Sequence, residues 1–330
     1  MTSNKFFPSK LQHVIMLIVF VLSSSIVFAQ KDADVSAIPI LSRGVQRVGN
    51  TFESVWLIDN QTTQVPLIGV AELDILHRFG TVVNGYSDFF GLYAPSNIRI
   101  GLSYVPIKNL QIGFGFTKER MLWDYFAKYA LLREKNQGGN SPVSLTYFVN
   151  MGLDTRPKDN FKHVQNRYSF FHQLMVSRKL TRDLSLQAHV SLSHFNTVPG
   201  ILDDKGEVVA QMKHDHIAVG ALGRWKLSDA FALIANFDMP ITQHPTNNPK
   251  PNISGGIEIA TPLHTFQVYL GNFKWLVPQY NNVFNQNDFS KGQFVIGFNV
   301  TRLLDMQEED LLDMMFHRKS KMNLEEGGHH

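Results

Sequence analysis

Three groups of residues in this 330-residue chain have types and spacings that could carry chemistry. His189 and Ser191 stand two apart, the spacing that puts side chains on one face of a β-strand. A serine beside a histidine is the start of a nucleophile and base, incomplete without an Asp or Asn to orient the imidazole. His214 and His216 repeat the spacing, with His194 upstream, and two imidazoles on one strand with a third from a neighbour can grip a metal ion. The third group is ionic: Glu72, Asp74 and Arg78 share a strand face, and Arg99 and Lys128 have the matching parity in later segments. Opposite charges facing one another across a narrow lumen set a field that selects solutes. The plainer role is bracing, since buried charges need partners to offset their desolvation.

Everything then depends on the elements that hold these residues. Between Ala71 and Thr301 the chain divides into about twelve stretches of period-two alternation, a strand signal. Ile98, Ile100, Leu102 and Tyr104 oppose Asn97, Arg99, Gly101 and Ser103; Leu184, Leu186, Ala188 and Val190 oppose Ser185, Gln187, His189 and Ser191. Short connections near 106–109, 180–183, 227–230 and 261–264 take turns with longer ones near 80–95, 155–166, 196–213, 239–252 and 272–291, while 118–122 is short and 134–142 medium. Segregated loop lengths are the mark of an outer-membrane β-barrel, with short turns in the periplasm and long loops outside. The expected fold is all-β: a transmembrane antiparallel up-and-down barrel of about 12 strands, both termini in the periplasm, with a short C-terminal helix. The apolar face then meets lipid and the polar face lines the lumen. Tyr104, Trp123, Tyr125, Tyr168, Trp225 and Trp275 fall near strand ends, where an aromatic girdle sits.

That sorting bears on each group. Glu72, Asp74, Arg78, Arg99 and Lys128 become lumen-lining charges. The His189–Ser191 pair is similar to the catalytic arrangement of outer-membrane phospholipases, which are also twelve-stranded, but those need it at the lipid surface; here it shares parity with Gln187 and Ser193 and faces the lumen. Ordinary polar lining accounts for it, and no catalytic residue is assigned. Of the metal candidates His194, His214 and His216, the first has the opposite parity from the other two, so solvated histidines at loop ends are the plainer reading.

The first 29 residues read as a cleavable export signal: Lys5 and Lys10, an apolar core from Val14 to Val21, and small residues at Val27 and Ala29 before Gln30. Removing them takes two lysines and no acid from the 31 basic and 28 acidic residues, leaving the mature chain almost neutral. Neither that balance nor any basic, aromatic-interleaved run points to nucleic acid. There is no cysteine, which excludes disulfides, thiol catalysis and Cys-metal sites. Residues 30–66 form a periplasmic lead-in or a plug, 67–302 the barrel, and 303–330 a periplasmic tail. In that tail Leu304, Leu311, Met314 and Met315 have helical spacing, acidic residues lead and His317, Arg318, Lys319 and Lys321 follow.

The stretches Glu72–Gly80, Asp88–Leu92, Asn97–Gly101, Lys128–Leu132, Pro142–Thr146, His264–Gln267 and Gly297–Arg302 together resemble an uncharacterised β-barrel family, a domain of unknown function, of Bacteroidetes-type bacteria. The resemblance covers roughly 67–302. It implies an outer-membrane barrel and brings no activity or catalytic residues with it; the helical tail departs from the family pattern.

The resulting expectation is a non-enzymatic outer-membrane barrel, without cofactor, that passes or binds small solutes and is surrounded by outer-membrane lipid in a Gram-negative bacterium. One alternative is a non-conducting barrel acting as an interaction or assembly component, with a periplasmic protein partner docking on 303–328. Another is a membrane-embedded lipid hydrolase. An open lumen favours transport, and a lumen filled by 30–66 and charged pairs favours the scaffold.

Overall fold

A computed structural model describes residues 51–135 and 139–306. The export signal, the stretch 30–50 and the tail from 307 onward lie outside the described residues.

Twelve antiparallel strands, each paired with its neighbours in sequence, close into one barrel. They are β1 (Val70–Thr81), β2 (Asn97–Ile107), β3 (Leu110–Thr117), β4 (Leu122–Leu132), β5 (Ser144–Asp154), β6 (Tyr168–Lys179), β7 (Leu184–Phe195), β8 (Asp215–Lys226), β9 (Phe231–Pro240), β10 (Asn252–Ala260), β11 (His264–Gly271) and β12 (Val295–Asp305). The last strand closes on the first, with Val300 opposite Ile75 and Thr301 opposite Asp74. Closure leaves no edge strand, the condition for a strand wall in hydrocarbon. β12 runs on to Asp305, past the boundary expected at 302, because Leu303 and Leu304 find Glu72 and Ala71 across the seam. The spacing that suggests a helix from Leu304 is thus overridden at its start by an available strand partner. The rest of the expected C-terminal helix lies outside the described residues; among those described, the β11–β12 connection holds a helix, α1, Pro278–Phe284.

The alternation divides the wall as its pattern requires. Ile112, Tyr125, Leu174, Leu233 and Val268 face outward and are exposed, while Gln111, Asp124, Gln173, Asn236 and Gln267 face inward and are buried. Tyr104, Trp123, Tyr125 and Trp225 lie exposed on the outer wall. Trp275 does not join them. It is buried inside the mouth, with its ring 5.1 Å from that of Tyr280, because the connection that carries it folds inward.

The interior is not a watery bore. Phe126, Phe148, Phe171 and Met175 have lumen parity and form a buried apolar cluster. Residues 51–65, Glu53 excepted, are also buried, threaded inside the barrel from the end with the short turns. There, Trp56–Leu57 and Asn60–Gln61 pair as a small hairpin with Ile58 and Asp59 at its tip.

Candidate functional site

The hairpin is built of Asp59, Asn60, Gln61, Thr62, Thr63 and Gln64, a polar run that suits a polar wall. Its returning arm is bonded across several strands. Lys128 on β4 donates to the Gln61 side chain (2.9 Å), and Gln187 on β7 donates to the Gln61 carbonyl (2.9 Å) and accepts from the Thr63 amide (2.9 Å). Thr146 on β5 donates to the Thr63 carbonyl (3.1 Å), and the Thr63 and Ser177 hydroxyls lie 2.5 Å apart. On the other arm, the Ser54 hydroxyl is 3.2 Å from that of Thr301.

The tip is held hardest. Ile58 adopts φ +60°, a left-handed conformation that a β-branched residue rarely takes. Such strain costs about 1–3 kcal/mol and persists only where the surroundings over-determine it. Here Gln267 accepts from the Ile58 amide (3.0 Å) and Asn299 donates to its carbonyl (2.6 Å). Its side chain packs with Phe52 and Leu57 against Leu222, Ile234, Tyr269 and Phe273.

The β11–β12 connection enters from the opposite end and meets this tip. Asn281 on α1 donates to the Asp59 carboxylate (3.0 Å), and Leu276 packs on Val55, Trp56 and Leu76. Gln279 donates to Asn150 (2.8 Å) and Asn282 to Ser191 (3.2 Å). The lumen is closed from both ends, and the two closures touch at Asp59.

The five lumen charges take different roles. Arg99 is fully buried; it donates to Asp124 through Nε (2.9 Å) and Nη2 (2.8 Å), and to Asp74 through Nη1. Its guanidinium also lies 5.2 Å from the Trp56 ring, so a brace within the wall reaches the hairpin. Gly115 makes room for this head, since a Cβ there would collide with the guanidinium. Lys128 is the hairpin's anchor, with Glu72 within electrostatic reach. Arg78 stands apart from the Arg99 cluster, its guanidinium 5.0 Å from the Tyr269 ring and 5.3 Å from Phe273. A second brace, Arg224 with Glu258 (2.6 Å), carries no charge from the expected set.

Asp59 has its own electrostatic environment. Burial, with the Asp238 carboxylate beside it, pushes its carboxyl up to about 7, while Arg78 and Asn281 pull the other way. A docked hairpin therefore holds this proton more tightly than an undocked one, whose carboxyl titrates near ~4. Docking is favoured in full below about pH 4 and weakens as pH rises to about 7. The other groups facing the site are Arg78 on β1, Asp238 on β9 and, through Asp238, His189 on β7. Protection of the Ile58 amide, corrected for intrinsic exchange, should fall between pH 5 and 7.5 in the wild type and stay level in Asp59→Asn. Equal pH dependence in both proteins would contradict this assignment.

The two remaining groups separate. His189 Nε2 lies 2.6 Å from Asp238, which also accepts from Asn60 (2.9 Å), whereas Ser191 accepts from Asn282; both lie on the buried lumen face. Gly220 allows the first contact, since a Cβ there would meet both His189 and Asp238. The metal candidates do not converge. His194 contacts Asp215 (2.7 Å), His214 contacts the Phe195 carbonyl (2.6 Å), and His216 turns inward to stack on His244 (2.9 Å between ring nitrogens). Among the described residues no group of three or more His, Cys, Asp or Glu is placed to hold a metal ion.

Sequence analysis left 30–66 as a periplasmic lead-in or a plug; what it missed is the docking of the hairpin on particular wall residues. A signal for it exists: Leu76, Phe126, Phe148, Phe171, Met175, Leu222, Ile234 and Tyr269 are large apolar or aromatic residues at lumen parity, where an aqueous bore has no use for them.

A family model described as a membrane-bound beta barrel domain, DUF5777, matches residues 52–304. No curated protein sequence matches the chain. Among solved structures, the COG4313 outer membrane channel from Pseudomonas putida F1 is similar at 12% identity, over 73% of this chain and 97% of that one, with a TM-score of 0.44. The KdgM porin in complex with disordered oligogalacturonate is similar at 9% identity, over 70% and 98%, with a TM-score of 0.43. The CymD monoaromatic hydrocarbon channel is similar at 11% identity, over 73% and 90%, with a TM-score of 0.37.

Proposed function

The chain belongs to this family of membrane-bound β-barrel domains, and from that premise we propose that it is a non-enzymatic outer-membrane channel for small solutes, shut in the described state by its own N-terminal hairpin. The observation that carries the reading is the chemistry of the closure. The returning arm, Asn60 to Gln64, is polar and meets the wall almost entirely through hydrogen bonds. A net bond of this kind is worth only about 0.5–1.5 kcal/mol, because water replaces it when it breaks. A lumen filled for good needs no such exchangeable lining; apolar packing would serve better. The export signal, the lipid-type outer wall and the segregated loop lengths support the location.

A second reading, a permanently closed barrel that binds a periplasmic partner through 303–328, draws on the lumen filled by residues 51–65 and buried charged pairs, the arrangement expected of a scaffold, and on Phe52, Leu57 and Ile58, which also pack on apolar wall residues. A lipid hydrolase fits poorly, since Ser191 is buried under α1 and His189 is committed to Asp238.

Bilayer conductance separates the first two readings. The intact protein should open in brief events, and a variant lacking residues 51–64, which takes from α1 the tip it rests on, should open more often and for longer. Silence from both, with the variant shown to be folded, overturns the channel and leaves the closed barrel.

A further inference from the structure

A cavity of about 240 Å³ lies at the end of the barrel that carries the long loops. Its basic side is Arg120, from the β3–β4 connection, with Arg156 and Arg167 from the β5–β6 connection. Its single acid is Asp154, at the end of β5. Arg156 grips Asp154 through Nε (2.9 Å) and Nη2 (2.8 Å). Arg120 stands 3.6 Å from the same carboxylate, and Arg167 spends Nη1 on the Asp154 and Arg156 carbonyls (2.9 and 2.8 Å). Two guanidinium groups thus stand at one carboxylate with a third on the backbone beside it, an excess of positive charge with donors left over on Arg120 and Arg167.

The other side of the cavity is aromatic. Phe161 lies under Arg167 (4.4 Å) and Arg156 (5.8 Å), and Tyr280 lies 5.8 Å from Arg120. Arg156 is spent on Asp154, whereas Arg167 is held by backbone carbonyls and the Phe161 ring, and Arg120 by the Tyr280 ring and the one long contact to Asp154. The backbone also bends to aim one of them: Arg120 and Met121 adopt φ +63° and +48°, and the Met121 carbonyl accepts from the Thr155 hydroxyl (2.5 Å). Two successive non-glycine residues in this conformation cost about 1–3 kcal/mol each, the kind of strain that gathers at ligand clamps.

We infer that this cavity binds a small organic anion: a carboxylate attached to a flat ring. A guanidinium fork matches a carboxylate with two parallel hydrogen bonds. The ring body meets Phe161 and Tyr280, which a bare inorganic anion leaves uncovered. The volume falls below the ~300–1,000 Å³ of pockets for drug-sized ligands, so the occupant has a single ring. Tyr280 and Phe284 belong to α1, so the occupant touches the helix that closes the lumen. Any effect on opening rests on the channel reading; the binding does not.

Calorimetric titration of the full-length protein in detergent tests the site with three probes: benzoate, its neutral analogue benzamide, and inorganic phosphate. Benzoate should bind saturably, with both others at least tenfold weaker. Arg120→Gln should weaken benzoate tenfold or more and Arg120→Lys less, while Lys274→Gln, a charge outside the cavity, leaves it unchanged. Arg120 is 37% exposed and is held by a long contact to Asp154 and by the Trp275 and Tyr280 ring faces, so these variants keep the fold, which thermal melting checks. Absent benzoate binding, equal affinity for benzamide or phosphate, or no effect of Arg120→Gln each overturns the proposal. Conductance is not read in this experiment, so a failure here is distinct from a failure of the channel.

Discussion

Arg99→Ala should cost the barrel about 3–5 kcal/mol or more, the usual price of breaking a buried ion pair by removing one partner. The reason is the pair of carboxylates left behind. Asp74 and Asp124 are each about 2% exposed or less, and both receive their charge-assisted bonds from the one guanidinium. Removing it leaves two like charges facing each other without water. The same change removes the cation over the Trp56 ring, so the hairpin loosens along with the wall. Reversible urea unfolding in phospholipid vesicles measures the loss. The control is the triple apolar replacement Asp74→Leu, Arg99→Met, Asp124→Leu, which should be much less damaging than the single change, because it leaves no orphaned charge. A loss below about 1 kcal/mol for Arg99→Ala would show that these charges are solvated rather than buried, and the closed lumen would be wrong with them.

The second large effect is on opening. Thr63 sits on the hairpin and Ser177 on β6, with their hydroxyls 2.5 Å apart, so cysteines at these two positions bring their sulfurs within bonding reach. The chain has no cysteine of its own, so an oxidised Thr63→Cys, Ser177→Cys variant forms this bridge and no other. The bridge ties the returning arm to the wall at the point where Thr146 and Gln187 already hold it, and asks little of the fold. It should leave the barrel's stability unchanged or raised while abolishing conductance. Reduction should restore the events of the unmodified protein.

The wall was legible because period two is a strong local signal when repeated twelve times, and because loop lengths segregate by end. The contents of the wall were not. Phe52–Ile58 carries a strand signal, but residues 59–64 hold no apolar position to announce its partner, and the hairpin's structure comes from contacts far away in sequence, such as Asn60 with Asp238 and Ile58 with Asn299. Lumen parity identified Asp74 and Arg99 as charges that face inward, but only the register brings Asp124 to complete the cluster. His189 shows the same limit. Its near neighbour Ser191 suggested a pair, whereas its partner, Asp238, lies two strands away across Gly220. Trp275 has the composition of a girdle residue and the position of a plug residue, because a loop of that length can fold into the lumen as easily as out of it. The inward-facing Phe126, Phe148, Phe171 and Met175 were readable all along as lining unsuited to water.

The central claim is that the hairpin is a movable closure, and conductance of the Thr63→Cys, Ser177→Cys protein in a planar bilayer tests it most directly. The account predicts silence under oxidising conditions and openings after reduction in the same membrane. Openings that persist in the fully oxidised protein, or silence before and after reduction in both this protein and the wild type, would contradict it.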